Sequence, residues 1–410
     1  MQRGYLQGSA PAWHLQSFYH EGHERHEGIA WQSLQKNVAA GADRGSARAE
    51  KSLVLLSTQL QRLGTIPSAV CLGLCLLHHS SILLFFPPSF SPDCWYTMDM
   101  RNYAPDLHHK RKAGEVALLE NWFLRRQHFH IENITGLHAL VRGLLRCTGL
   151  RKRGERNARA LRVNAYTVTL PGLPRAFHHY RLLHLSDVHI DGVVGLPEVL
   201  CEQLSGIDAD ACVFTGDFRY KTSGPCTSMV RYMEKVVRHI HAPDGMYGVL
   251  GNHDAYEEVA ALEHLGIRML MNAALPLRRA GETVWLAGID DPHYYECDDL
   301  ESACASVPSG ACSILLAHSP ERYAEAAARG IALYLCGHTH AGQMCIPHLG
   351  APMVNARCPR AYAAGRWQHG RMQGFTNAGA GCSCVQARFG CPPEIALLEL
   401  HCAEVEQASA

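Results

Sequence analysis

The 410 residues include 38 Lys plus Arg and 38 Asp plus Glu, so a formal net charge of zero points to neither a nucleic-acid nor an acidic partner. Hydrophobic residues make up 47%, enough to fill one large catalytic domain with further material beside it. The 17 cysteines are scattered and odd in number, which argues against a disulfide-stapled scaffold and for reduced thiols in the cytosol.

In chain order, residues 1–97 mix Gln, Ser, Arg, Gly and His without periodicity, apart from one uncharged apolar run from Ile66 to Phe86. That run has the length of a membrane helix of roughly 20 residues. Pro67 and the His78-His79-Ser80-Ser81 patch interrupt it, and it lies too far from Met1 for a signal peptide. The stretch is expected to be poorly structured or a gene-model extension, with Met98 or Met100 as the start. Residues 98–170 form a basic helical segment. Between Arg101 and Arg162 there is an excess of nine positive charges, and Ile134, Leu137, Val141, Leu144 and Leu145 recur at helical spacing. Arg142 and Arg146 flank that apolar stripe, with Arg151-Lys152-Arg153 beyond it. Such a helix either lies on an anionic membrane surface or packs its stripe on the neighbouring domain.

After Pro171, Gly172 and Pro174 a catalytic domain is expected over 171–402, followed by a tail at 403–410. Predicted strands are 180–185, 211–215, 246–250, 313–317 and 331–335, alternating with helices at 196–204, 227–239, 255–265 and 320–329. Short strands are expected near Arg268, Leu275 and Val284, and EIALLEL from Glu394 reads as a closing strand. Alternation of this kind indicates an α/β fold, whose functional groups gather beyond the carboxyl ends of the strands.

Five polar clusters sit at those ends. They are Asp187-Val188-His189, Gly216-Asp217, Gly251-Asn252-His253-Asp254, His318-Ser319-Pro320 and Gly337-His338-Thr339-His340. Converged, they offer two carboxylates (Asp187, Asp217), one amide oxygen (Asn252) and four imidazoles (His189, His318, His338, His340). Seven ligands exceed what one ion needs and suit two divalent ions sharing a carboxylate. Mixed oxygen and nitrogen donors favour manganese, with iron, zinc and nickel as alternatives. Paired ions clamp the attacking and departing oxygens of an in-line phosphoryl displacement, so hydrolysis at phosphorus is the implied reaction. Cys358, Cys382, Cys384 and Cys391 match no zinc module and read as buried thiols.

The succession DVH, GDF, GNHD, HSP and GHTHAGQ resembles the calcineurin-like metallophosphoesterases over about residues 180–400. The resemblance implies a four-layer αββα sandwich, here with an N-terminal basic helical extension. It also implies that Asp187, His189 and His340 hold one ion, that Asn252, His318 and His338 hold the other, and that Asp217 bridges. His253 would be the general acid, with Asp254 orienting its ring. One departure is Tyr220, which stands where the family has a second aspartate. Arg219 in the same loop is then expected to reach a substrate phosphate. LLAHSPERYAEAA, CGHTHAGQMCIP and the NAGAG ending look like the bacterial membrane-associated branch, which includes UDP-2,3-diacylglucosamine pyrophosphatases of the lipid A pathway. A phosphorylated lipid substrate at the inner face of the cytoplasmic membrane is therefore expected, with no nucleic acid and no obligate protein partner. Two alternatives stand: a soluble phosphodiesterase for small phosphoesters or cyclic nucleotides, and an inactive scaffold of the same fold.

Overall fold

The computed structural model describes residues 110–115 and 135–403. The apolar run 66–86, the expected start at Met98 or Met100, and Ile134 lie outside the described residues.

Two helices open the continuous part, α1 (Thr135–Cys147) and α2 (Arg151–Ala158). The first sheet contains β1 (Arg162–Leu170), β2 (Tyr180–Leu185), β3 (Ala211–Thr215), β4 (Met246–Val249), β5 (Ile267–Met269) and β12 (Glu394–Cys402), in the order β1-β12-β2-β3-β4-β5. Its helices are α3 (Leu196–Leu204), α4 (Thr227–Val237) and α5 (Val259–His264). The second sheet contains β6 (Ala273–Arg279), β7 (Glu282–Gly288), β8 (Ser313–Leu316), β9 (Leu333–Cys336), β10 (Gly365–His369) and β11 (Met372–Thr376), in the order β10-β11-β9-β8-β7-β6. It carries α6 (Leu300–Cys304) and α7 (Tyr323–Ala328). Strands β2 to β5 run parallel, as do β7, β8, β9 and β11.

Alternation along each strand makes the layers. Leu182, Val213 and Val249 join Leu286, Ile314 and Leu335 in the apolar seam between the sheets. Their neighbours Leu183, Leu185 and Phe214 point the other way and pack on Leu200, Met233 and Leu262 of the helices. On the far side, Ala287, Leu315 and Tyr334 meet Leu300, Ala303 and Ala326. Strands buried on both faces read as continuous apolar runs, which is why YRLLHL, ACVFT and SILL are so hydrophobic. The result is a four-layer αββα sandwich.

The basic segment is not helical throughout, because Arg162–Leu170 is β1, paired in parallel with β12. Its outer half is exposed, so polar residues interrupt its apolar pattern and hide it. The β10–β11 hairpin was likewise invisible, with polar Arg366 and Gln368 alternating around the buried Trp367.

Candidate dinuclear metal centre

Five parallel strands deliver the predicted residues to one place. Asp187 follows β2, Asp217 follows β3, Asn252 follows β4, His318 follows β8 and His338 follows β9, each within three residues of its strand's end. The ends of both sheets thus meet in a single cup. Asp187 and His189 do not converge by extended alternation, as a strand reading implies. Asp187, His189, Asp217, His338 and His340 all have positive φ, between 38° and 68°. Left-handed backbone at a non-glycine residue costs on the order of 1–3 kcal/mol and persists where the surroundings over-determine it. The glycines of the motifs are explained by close approach. A Cβ on Gly337 would fall 2.2 Å from Asp187 Oδ2, and one on Gly251 would fall 2.2 Å from Asp217 Oδ1.

The donors form two groups. In the first, His189 Nε2 is 3.2 Å from His340 Nε2 and 3.5 Å from Asp217 Oδ2, while His340 Nε2 is 3.4 Å from Asp187 Oδ1. In the second, His318 Nε2 is 2.8 Å from Asn252 Oδ1, 3.1 Å from His338 Nδ1 and 3.5 Å from Asp217 Oδ2. Ligands about 2.1 Å from a shared ion stand roughly 3.0–3.5 Å apart, so both groups have the spacing a cation needs.

Two features test the fit. His318 Nδ1 donates to the Thr215 carbonyl at 2.8 Å, which turns Nε2 onto the Asn252 amide oxygen. At that distance a proton or a cation bridges the ring nitrogen and the amide oxygen. Asp187 Oδ1, moreover, is buried without a hydrogen-bond partner. In the first group a proton occupies the equivalent place. His189 Nδ1 donates to the Arg219 carbonyl, Arg388 Nη2 donates to His340 Nδ1 at 3.0 Å, and His340 Nε2–H therefore faces the His189 lone pair. A divalent ion held by this group would stand in place of that proton.

Electrostatics point the same way. Burial drives the Asp217 carboxyl well above the usual carboxylate range, reinforced by Asp254 and Asp187, and burial also raises Asp187. Burial holds the imidazoles of His189, His338 and His340 well below their ordinary value. A bound cation would reverse the first tendency and reinforce the second, favouring carboxylate and neutral imidazole together.

Around this centre three expectations change. Asp254 does not orient His253. Its carboxylate accepts the backbone N–H groups of Asp217 and Gly251 at 2.7 and 2.8 Å and that of Phe218 at 2.8 Å, tying two ligand loops together. His253 is held instead by its Nδ1–H on the Tyr220 carbonyl at 2.6 Å, with Nε2 3.9 Å from Asp217 Oδ2. Tyr220, in place of an aspartate, thus supports that ring through its backbone, while its hydroxyl donates to the Cys384 carbonyl.

Arg219 does not face the cup either. It is buried, donating to the His253 carbonyl and pairing with Glu258 at 2.9 Å. Truncating one member of a buried pair costs about 3–5 kcal/mol. Arg219→Ala is therefore expected to lose stability of that order in urea unfolding while the KM for a phosphodiester stays unchanged. A large rise in KM at unaltered stability would return Arg219 to the substrate.

Finally, the apolar stripe of α1 is only partly covered. Val141 and Leu145 are half-buried, whereas Leu140 and Leu144 are exposed.

Two arginines escaped sequence reading. Arg388 is fully buried, close enough to Asp187 to act on its carboxylate, and donates to the carbonyls of Gly379 and Gly381 as well as to His340. Arg111, one of the basic run, is buried against Asp290 and donates to the carbonyls of Gly251 and Asp254. Nothing in a chain-local pattern separates either from the surface arginines around it.

A cavity of about 200 Å³ opens onto Asp217, Asn252, His253, His338 and His340. Its other wall is Val141, Met344, Met353 and Val385, with His138 of α1 at its edge. A larger cleft of about 420 Å³, lined by Gly172, Val307 and Gly330, shares none of these residues.

Residues 180–342 match the family model for the calcineurin-like phosphoesterases. YkuE, a metallophosphoesterase of Bacillus subtilis, is 27% identical over 248 residues, covering 57% of this chain and 84% of that protein. The phosphodiesterase YaeI of Escherichia coli is 30% identical over 161 residues, covering 38% of this chain and 57% of that protein. A transmembrane protein with a metallophosphoesterase domain from Danio rerio is 30% identical over 190 residues, 42% of this chain and 43% of that protein. The chain thus spans most of the first relative and about half of the other two.

Proposed function

We propose, from the premise that this chain belongs to the calcineurin-like phosphoesterases, that it hydrolyses a phosphodiester or pyrophosphate bond of an amphiphilic substrate. The observation that carries the metal-dependent part is the convergence of His318 Nε2, His338 Nδ1 and Asn252 Oδ1, beside an Asp187 Oδ1 buried without a hydrogen-bond partner. Asp187, His189 and His340 would hold one divalent ion, Asn252, His318 and His338 the other, and Asp217 both. Manganese is the first choice for such mixed donors, with iron, zinc and nickel next. When bound, the ions supply Lewis acidity at the phosphoryl group and lower the pKa of water.

The chain's own contribution to the chemistry is a proton. His253, with Nδ1–H tied to a carbonyl, points Nε2 into the cup and as imidazolium delivers that proton to the departing oxygen. The tie to Tyr220 fixes the ring plane.

Substrate character follows from the cavity, polar on the donor side and apolar along Val141, Met344, Met353 and Val385. Outside it, Leu140 and Leu144 are 59% and 55% exposed, with Arg142, Arg146, Lys152 and Arg153 exposed nearby. Ile346 and Leu349 are exposed in the loop that follows His340. Apolar tips among cations suit peripheral docking on an anionic leaflet, at the inner face of the cytoplasmic membrane. Among the described residues no helix is long and apolar enough to cross a membrane. A nucleotide-linked diacylated sugar such as UDP-2,3-diacylglucosamine is the amphiphile to test first.

Anionic phospholipid vesicles are expected to raise turnover of such a substrate. Leu140→Asp/Leu144→Asp should abolish that stimulation and leave hydrolysis of bis-p-nitrophenyl phosphate intact. Turnover confined to water-soluble esters, indifferent to vesicles, would replace this reading with the small-ester phosphodiesterase.

A further inference from the structure

At the opposite end of β2 from Asp187, three imidazoles crowd together outside the cup. His178 and His179 immediately precede β2, and His401 lies near the end of β12, its antiparallel neighbour. The ring centroids are 4.0 Å apart for His178 and His179, 4.9 Å for His178 and His401, and 4.6 Å for His179 and His401. One ring nitrogen from each lies within 4.8 Å of the other two. His179 takes φ 65°, a left-handed conformation that an unconstrained β-strand entry does not need.

Glu399 organises the group. Its Oε1 accepts from His179 Nδ1 and from His401 Nε2, both at 2.7 Å. Those bonds place a proton on each of these two nitrogens and turn the opposite nitrogen of each ring away from the carboxylate. A carboxylate behind a histidine is the arrangement that fixes tautomer and raises ligand basicity at metal sites. His178 accepts the Cys402 amide N–H at Nδ1 over a long 3.3 Å, a weak hold on the third ring.

We propose that His178, His179 and His401, backed by Glu399, form a separate site for one divalent transition ion of the zinc, nickel or copper class. Imidazole donors suit these metals and not calcium or magnesium. Ring nitrogens about 2.0–2.1 Å from a tetrahedral ion stand roughly 3.4 Å apart, so the rings close by about an ångström on binding. The side chains of His179 and Glu399 are 62% and 40% exposed, and turn without disturbing the core. A filled site ties the entry of β2 to the end of β12.

The test is equilibrium dialysis of the full chain against zinc, followed by metal analysis. The His178→Ala/His401→Ala double variant is expected to carry one ion fewer than the wild type, with bis-p-nitrophenyl phosphate turnover unchanged. Glu399→Gln is expected to weaken that one class of ion by roughly tenfold. Equal ion numbers in wild type and double variant would overturn the proposal. Because the count is a difference, its outcome does not depend on what fills the cup. Should the double variant fail to fold, the ring ¹⁵N resonances of the wild type decide: three histidines shifting together at one zinc equivalent support the site, and unmoved resonances remove it.

Discussion

Asp217→Asn is expected to melt above the wild type in chelator and below it in manganese. Asp217 Oδ2 is the atom shared by both donor groups, 3.5 Å from His189 Nε2 and 3.5 Å from His318 Nε2. It is buried near the carboxylates of Asp187 and Asp254, so without cations its charge is desolvated and repelled. The amide removes that charge and keeps an oxygen for the His253 amide N–H, which Asp217 Oδ1 accepts at 2.8 Å. Metal-free stability therefore rises. A ligand present at 100 times its Kd stabilises the folded state by about 2.7 kcal/mol, and a variant that cannot bridge forfeits that gain. Phosphodiester hydrolysis should drop by on the order of 10³-fold or more, equivalent to about 4 kcal/mol of transition-state stabilisation. Thermal melts of both proteins in chelator and in manganese read the crossover. Equal stabilisation of the two by manganese would sink the assignment of Asp217 as the bridge.

His253→Ala separates proton delivery from metal binding. Loss of a general acid lowers kcat by about 10²–10⁴-fold. Every donor pair in the cup remains, so metal content should match the wild type. The deficit should also depend on the leaving group. Nitrophenolate departs without a proton, whereas an alkoxide or a sugar oxygen needs one, so the loss with bis-p-nitrophenyl phosphate should be much smaller than with an alkyl phosphodiester. An identical loss for both substrates, or release of the ions, would show that His253 acts by supporting the cup. The His253 ring lies edge-on to His189 at 4.6 Å between centroids, which makes that second outcome a real alternative to distinguish.

Several elements were legible because local physics dictates them. The buried strands at Tyr180–Leu185 and Ala211–Thr215 announce themselves as apolar runs, and α3 by a stripe that puts Leu196, Leu200 and Leu204 on one side. The polar clusters were legible for a related reason, since apolar strands ending abruptly in Asp, Asn or His mark where a sheet stops and chemistry begins. β1 and the β10–β11 hairpin were not, because a partly exposed strand carries polar residues that erase its signature. Arg219 and Asp254 show the limit for individual side chains. Both sit inside the motifs, yet one turns away to Glu258 and the other spends its oxygens on backbone N–H groups. Direction at a loop depends on neighbours far along the chain, and no spacing rule encodes it.

By itself, then, the order of residues determined the α/β class, the strand ends and the chemical types brought to them, since burial period and donor chemistry are properties of short segments. Only the tertiary structure decided that His318 faces Asn252, that Arg388 and Arg111 are buried beneath the loops, and that α1 turns Val141 toward the cavity and Leu140 outward. Each of those facts is a contact between segments remote in sequence, set by how two sheets pack, and it has no counterpart in any local pattern.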